Sequence, residues 1–192
     1  MEKIITDILK ESIKAKENFV DRHLGLIIKG TEVLSECIAS GHKILIFGNG
    51  GSAADSQHIA AEFVNRFMVE RSPLPAIALT TDTSIITAIG NDYGFDQIFS
   101  KQVEALGKKG DVAIGISTSG NSKNVIKAVK EANKAGLITM ALTGRGGELA
   151  ECADIIYRVE SDSTGRIQEV HITLGHILCE LVERSLFFEK FI

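Results

Sequence analysis

Apolar residues in the first forty positions recur at intervals of three and four: Ile4, Ile5, Ile8, Leu9 and Ile13. Beyond a polar break they resume as Leu24, Ile27, Ile28, Val33, Leu34, Cys37 and Ile38. This spacing predicts two amphipathic helices, each with one apolar stripe. From Lys43 the rhythm changes. Short apolar runs at 43–47, 74–80, 111–116, 137–143 and 154–159 alternate with helix-length segments near 52–68, 84–90, 94–106, 122–135 and 165–188. Apolar runs without strict alternation are how strands covered on both faces read. Their alternation with helices predicts a parallel sheet joined by right-handed crossovers. The expected architecture is one doubly wound α/β domain over residues 41–192, a three-layer flavodoxin/Rossmann-like sandwich, preceded by a helical extension over 1–40. That extension has apolar stripes and no strand of its own, so it is expected to pack between subunits.

Composition narrows the class. The chain has 192 residues, 21 Lys and Arg against 25 Asp and Glu, a net charge of −4, 44% hydrophobic and 24% charged residues. These are ordinary globular values, and the acidic balance argues against a nucleic-acid or anionic-membrane surface. Cys37, Cys152 and Cys179 are widely spaced and form no CxxC, which disfavours a disulfide framework or zinc ribbon. The charged N-terminus lacks the apolar core of a secretory signal, and no run reaches the ~18 apolar residues of a membrane span. A cytoplasmic protein is expected.

Ligands of such sheets bind at the carboxyl ends of the strands, beside a switch in strand order. Two loops there are suggestive. GNGGSAAD (48–55) fits G-x-G-x-x-A through Gly48, Gly50 and Ala53. However, the acidic residue nearest the second strand's end, Asp82, lies far beyond the ~20-residue offset of a dinucleotide site. The loop reads either as a tight turn or as backbone N–H groups offered to an oxyanion or sugar hydroxyls, with Ser52 expected as a helix cap. GISTSGNS (115–122) resembles a P-loop in which Asn121 stands where the lysine belongs. A nucleoside triphosphatase is thereby disfavoured. The hydroxyls of Ser117, Thr118, Ser119 and Ser122 suit one phosphate monoester, against the plainer reading of a turn that caps the next helix.

The helix after the first loop carries Asp55, His58, Glu62 and Asn65 on one polar stripe beside the apolar stripe of Ala60, Phe63, Val64 and Phe67. His58 and Glu62, at i and i+4, can reach one point as metal ligands or as an acid/base pair, or else form an exposed face. On the last helix Gln168, His171 and His176 stand off the apolar stripe of Ile167, Val170, Leu174, Ile177, Leu178 and Leu181. His171 reads as a structural histidine.

The blocks GNGGSAADSQHIAAEF, AIGNDYGFDQIFSKQVEALGKKGDV, GISTSGNS and RIQEVHITLGHIL, in this order, resemble the bacterial phosphoheptose isomerases of the sugar-isomerase (SIS) fold, over about residues 2–188. The resemblance implies conversion of sedoheptulose 7-phosphate to glycero-manno-heptose 7-phosphate, towards the heptose of lipopolysaccharide core or related glycans. It implies zinc ligands at His58, Glu62, Gln168 and His176, and sugar-phosphate contacts at Asn49, Gly50, Gly51, Ser52, Glu62, Asn91, Asp92, Ser117, Thr118, Ser119, Ser122 and Gln168. It further implies Glu62 as general base, His176 as general acid, and a homotetramer with active sites between subunits.

Chemistry agrees with these assignments. Aldose–ketose isomerisation needs a base at carbon, an acid at oxygen and stabilisation of enolate charge. Zinc-bound carboxylate is a poorer base, so the two roles of Glu62 compete. Gln168 and His176 are about 12 Å apart along a regular helix, which favours a site completed across a subunit interface. The rival readings are a regulatory SIS module resembling the DnaA initiator-associating protein, disfavoured by the presence of Glu62, and a dinucleotide-dependent dehydrogenase, disfavoured by the missing acid.

Overall fold

In the computed structural model, which describes residues 1–192, the first forty residues form one continuous helix, α1 (Glu2–Ala39), rather than two. The polar stretch after Ile13 contains good helix formers (Lys14, Ala15, Lys16, Glu17) and neither Gly nor Pro, so nothing in it ends a helix. Phe19, Ile27 and Leu34 of α1 are buried, each contributing roughly 1.5–3 kcal/mol. The Tyr157 hydroxyl donates to the Leu26 carbonyl at 2.9 Å. It crosses α1 at Gly30, where any side chain would collide with it. The first turns are different: Ile4, Ile5, Ile8, Leu9 and Ile13 remain 46–66% exposed.

Then follow β1 (Ile44–Gly48), α2 (Gly51–Val64), β2 (Ala76–Ala78), α3 (Thr83–Asp92), a 3₁₀ turn (Phe95–Gln97), α4 (Ser100–Leu106), β3 (Val112–Ser117), α5 (Lys123–Lys134), β4 (Ile138–Thr143), a short α6 (Leu149–Cys152), β5 (Ile155–Arg158) and α7 (Thr164–Leu186). The five strands pair in parallel in the order β2-β1-β3-β4-β5, so the switch point lies between β1 and β3. Successive strand residues serve opposite cores. Ile44 and Ile46 join α1, α2 and α7, whereas Leu45 and Phe47 join α4 and α5.

Three expectations are corrected in detail. The run 74–80 yields only a three-residue edge strand, because Pro75 offers a carbonyl to Ile44 N but has no N–H to extend the ladder. The segment 94–106 breaks into a turn and a helix behind Gly94, whose φ is +92°. The helix expected over 52–68 stops at Val64. At the amino ends of the strands, opposite the site, buried Asp111 accepts Lys43 N (3.0 Å), Lys108 N (2.8 Å) and Lys43 Nζ (2.5 Å), tying the starts of β1 and β3 together.

Candidate active site

At the switch point β1 ends on Gly48 beside Ile116 of β3. A Cβ on Gly48 would lie 2.8 Å from both the Ile116 carbonyl oxygen and Ser52 Cβ, so glycine alone lets the two strand exits meet. Asn49 and Asn124 lock the loops with two reciprocal amide hydrogen bonds of 2.8 and 2.9 Å. Gly50, with φ +55°, is the N-cap of α2; Ser52 is not the cap but sits buried in the first turn, and no side chain caps that end. Ser52 N and Ala53 N turn back to the Asn49 and Gly50 carbonyls at 3.0 Å, which leaves Gly51 N at this helix end to face a ligand.

Three of the four hydroxyls in the next loop converge. Ser117 Oγ lies 2.9 Å from Ser122 Oγ and 3.4 Å from Ser119 Oγ. Thr118 instead accepts Gly144 N on its carbonyl at 3.0 Å and lines a neighbouring groove with Arg145 and Thr164. Ser122 occupies the N-cap position of α5, yet its hydroxyl turns to Ser117; Val125 N is taken by Asn124 Oδ1 at 2.9 Å, so this helix end offers the amides of Lys123 and Asn124. Together the cluster presents neutral donors for an oxyanion.

Helices α2 and α7 run side by side in the same direction. The Gln168 amide packs against Gly51, Ile59 fills the space over Gly175, and His58 meets His176. His58 Nε2 is 2.9 Å from His176 Nε2 and 3.4 Å from Glu62 Oε1. The Phe67 ring stacks on His176 at 5.3 Å between centroids. Burial, then the neighbouring His58, hold the His176 pKa below its ordinary value, with Glu62 opposing. The His58 side chain is 49% exposed and that of Glu62 24%.

The chain therefore brings His58, Glu62 and His176 together and places Gln168 two turns away, at the end nearest the hydroxyl loop. Two imidazoles and a carboxylate are donors that suit zinc, although no three His, Cys, Asp or Glu side chains are drawn together tightly enough to hold an ion. Asn91 and Asp92 lie at the exposed end of α3, hydrogen-bonded to each other at 2.8 Å and to none of the other candidates. His171 is fully buried with Nε2 on the Thr143 carbonyl at 3.1 Å, and burial pushes its pKa down to about 4.

Sequence reasoning missed Asn124 and the stacking of Phe67 on His176. It also missed Arg71 with Glu183, whose one visible trace was a carboxylate in the last turns of an otherwise apolar helix face. No helix is long and apolar enough to cross a membrane.

Residues 9–144 match the SIS domain family. The chain is 56% identical over 186 residues to the phosphoheptose isomerase of Nitratidesulfovibrio vulgaris, covering 96% of this chain and 89% of that one. Against that of Aquifex aeolicus it is 58% identical, covering 95% and 96%. Among solved structures, phosphoheptose isomerase from Neisseria gonorrhoeae superposes with a TM-score of 0.89 at 48% identity, covering 95% of this chain and 98% of that one. The Francisella tularensis enzyme gives 0.91 at 41%, covering 95% and 97%. The chain belongs to the phosphoheptose isomerase family of SIS-domain proteins and is an isomerase.

Proposed function

We propose that the chain interconverts sedoheptulose 7-phosphate and D-glycero-D-manno-heptose 7-phosphate, an early step towards a heptose-containing glycan such as lipopolysaccharide core, in the cytoplasm. The observation that carries this reading is the placement of Glu62 and His176 around His58, which lies 3.4 Å from the one and 2.9 Å from the other, on parallel helices, with the start of α7 lining one groove with Ser119. From Gly51 to His58 is about 10 Å along α2. His58 touches His176, and Glu62 lies one turn further on, so the reacting end of a seven-carbon sugar phosphate anchored at Gly51 is expected about 10–16 Å along α2.

The phosphate needs anchoring and no chemistry. Ser117, Ser119 and Ser122, with the amide ends of α2 and α5, bind it and turn binding energy into orientation of the reacting end. Glu62 then takes the proton from C1 of the open-chain ketose while the His176 imidazolium gives a proton to O2, leaving an enediol. Glu62 returns its proton to C2, and His176 recovers one from O1, which becomes the aldehyde oxygen. His58 holds the His176 ring from one side and Phe67 packs it from another. A zinc ion would be held by His58, Glu62, His176 and Gln168 and would supply Lewis acidity when bound. A coordinated carboxylate is a poorer base and a coordinated imidazole has no proton to give, so Glu62 and His176 transfer protons only while they are not coordinating. Incubation with sedoheptulose 7-phosphate should yield the aldose, a chelator should abolish the yield, and added zinc should restore it. No turnover by the intact protein overturns the proposal.

Assembly belongs to the same reading. The half-exposed His58, the open N-terminal stripe of α1 and an α3 without one buried residue are surfaces that a second copy would cover. Burying them would also exclude water from the reacting carbons. A homotetramer with sites between subunits fits these surfaces. Ile5→Asp with Leu9→Asp should shift sedimentation to smaller species, leaving the rest of α1 packed; an unchanged profile removes this helix from the interface.

A further inference from the structure

Between α2 and β2 the segment Asn65–Pro75 is held by one buried ion pair. The side chains of Arg71 and Glu183 are each about 1% exposed, with Arg71 Nε donating to Glu183 Oε1 at 2.7 Å. The same carboxylate accepts the N–H groups of Phe67 and Met68, both at 2.7 Å, and of Val69 at 3.3 Å. The remaining guanidinium nitrogens donate to the carbonyls of Glu62 and Phe63 at 2.8 Å, Ser72 at 3.1 Å and Asn65 at 3.4 Å.

The carbonyls of Glu62, Phe63 and Asn65 lie at the end of α2, where a helix leaves its last acceptors without intrahelical partners; of the three, that of Phe63 also accepts Leu74 N at 3.1 Å. No basic residue of α2 itself serves them. Arg71 folds back to do so and is the C-terminal cap of the helix that carries Glu62. Its counter-charge, Glu183, sits seven residues beyond His176 on α7, two turns along the same face. The carboxylate also grips the backbone of Phe67, whose ring packs on His176. One pair thus touches the Glu62 backbone, the residue that seats His176 and the helix that bears it. Stability alone is a poor reason to keep such a pair, since apolar residues of similar volume often replace a buried ion pair without loss.

We propose that Arg71 and Glu183 are positioning residues of the isomerase: they set the separation and angle between Glu62 on α2 and His176 on α7. The inference rests on reading those two residues as the proton-transfer pair. A displacement of about 1 Å at reacting groups costs about 10²-fold in rate, and loss of an outer hydrogen-bond partner typically 10–100-fold. Arg71→Lys keeps the charge beside Glu183 but replaces a planar fork of five donors by a point ammonium that cannot serve carbonyls on both sides. Glu183→Gln keeps the shape and removes the charge.

Both variants should lower kcat about 10–100-fold, assayed well below their melting temperatures. KM for the sugar phosphate should hold nearly constant, because the serine cluster is not touched. Lower melting temperatures with unchanged kcat per folded subunit would make the pair purely structural and overturn the proposal. So would failure of both variants to fold. Glu62→Gln belongs in the same series. If it retains the full rate, the proton-transfer assignment falls whatever Arg71→Lys does. If it is inactive while Arg71→Lys keeps the full kcat, only the positioning role falls.

Discussion

Glu62→Gln should lower kcat by about 10²- to 10⁴-fold, the range spanned by a positioned general base, with KM for the sugar phosphate little changed. The amide matches the carboxylate in size, and the site is partly open to solvent, so no cavity forms and no charge is stranded. What folding loses is the His58–Glu62 contact at 3.4 Å, one helical turn apart and half-exposed. Such pairs contribute about 0.3–0.5 kcal/mol, which scarcely moves a melting temperature. What catalysis loses is the proton acceptor, because an amide does not take a proton from carbon near neutrality. Stopped assays of aldose formation, beside thermal melting, separate the two effects. A variant within tenfold of the normal rate would remove Glu62 as base and return attention to Asp55, whose Oδ2 is buried without a partner and whose pKa is raised, chiefly by burial.

The parallel sheet was legible because buried strands advertise themselves. All five runs became strands, and Ile44 to Phe47 are wholly inaccessible. The stripe of His58 and Glu62 was legible for the same local reason, since helical periodicity alone puts i and i+4 on one face. The meeting of His58 with His176 spans 118 positions, and spacing within one helix says nothing about it. It depends on Gly51 and Gly175 letting α2 and α7 approach, and a lone glycine inside a helix reads as a weakness rather than as a contact point. The single α1 was misread for the opposite reason: exposed apolar turns and a polar middle look like two elements when each buries its own stripe. Here only the second half meets the core of its own chain. The carbonyls that Arg71 serves were invisible, because backbone acceptors leave no mark in a side-chain pattern.

Gly120→Ala should damage both stability and phosphate binding. The residue has φ +67°, where a Cβ costs roughly 1–2 kcal/mol. That Cβ would also stand 2.7 Å from the Gly146 carbonyl carbon and 3.1 Å from Gly147 Cα, closer still to the Gly146 oxygen. These are backbone atoms, so the loops after β3 and β4 must separate rather than a side chain swing away. Separation strains the hydrogen bond from Leu149 N to Gly120 O at 2.9 Å and that from Glu148 N to Asn121 Oδ1 at 3.2 Å. Adding about 1–3 kcal/mol for the displaced backbone gives a loss of roughly 2–5 kcal/mol, a large share of the 5–15 kcal/mol that holds a domain together. The same shift moves Ser119 and Ser122, on either side of residue 120, away from Ser117. KM for the sugar phosphate should therefore rise several-fold, and competition by inorganic phosphate should weaken in parallel. Gly25→Ala is the control. Gly25 lies inside α1 with nothing within 4 Å of an added Cβ, and this replacement should stabilise by about 0.5–1 kcal/mol with no effect on KM. If Gly120→Ala melted with the wild type and bound substrate equally well, the close approach of the two loops would not be what shapes the phosphate site.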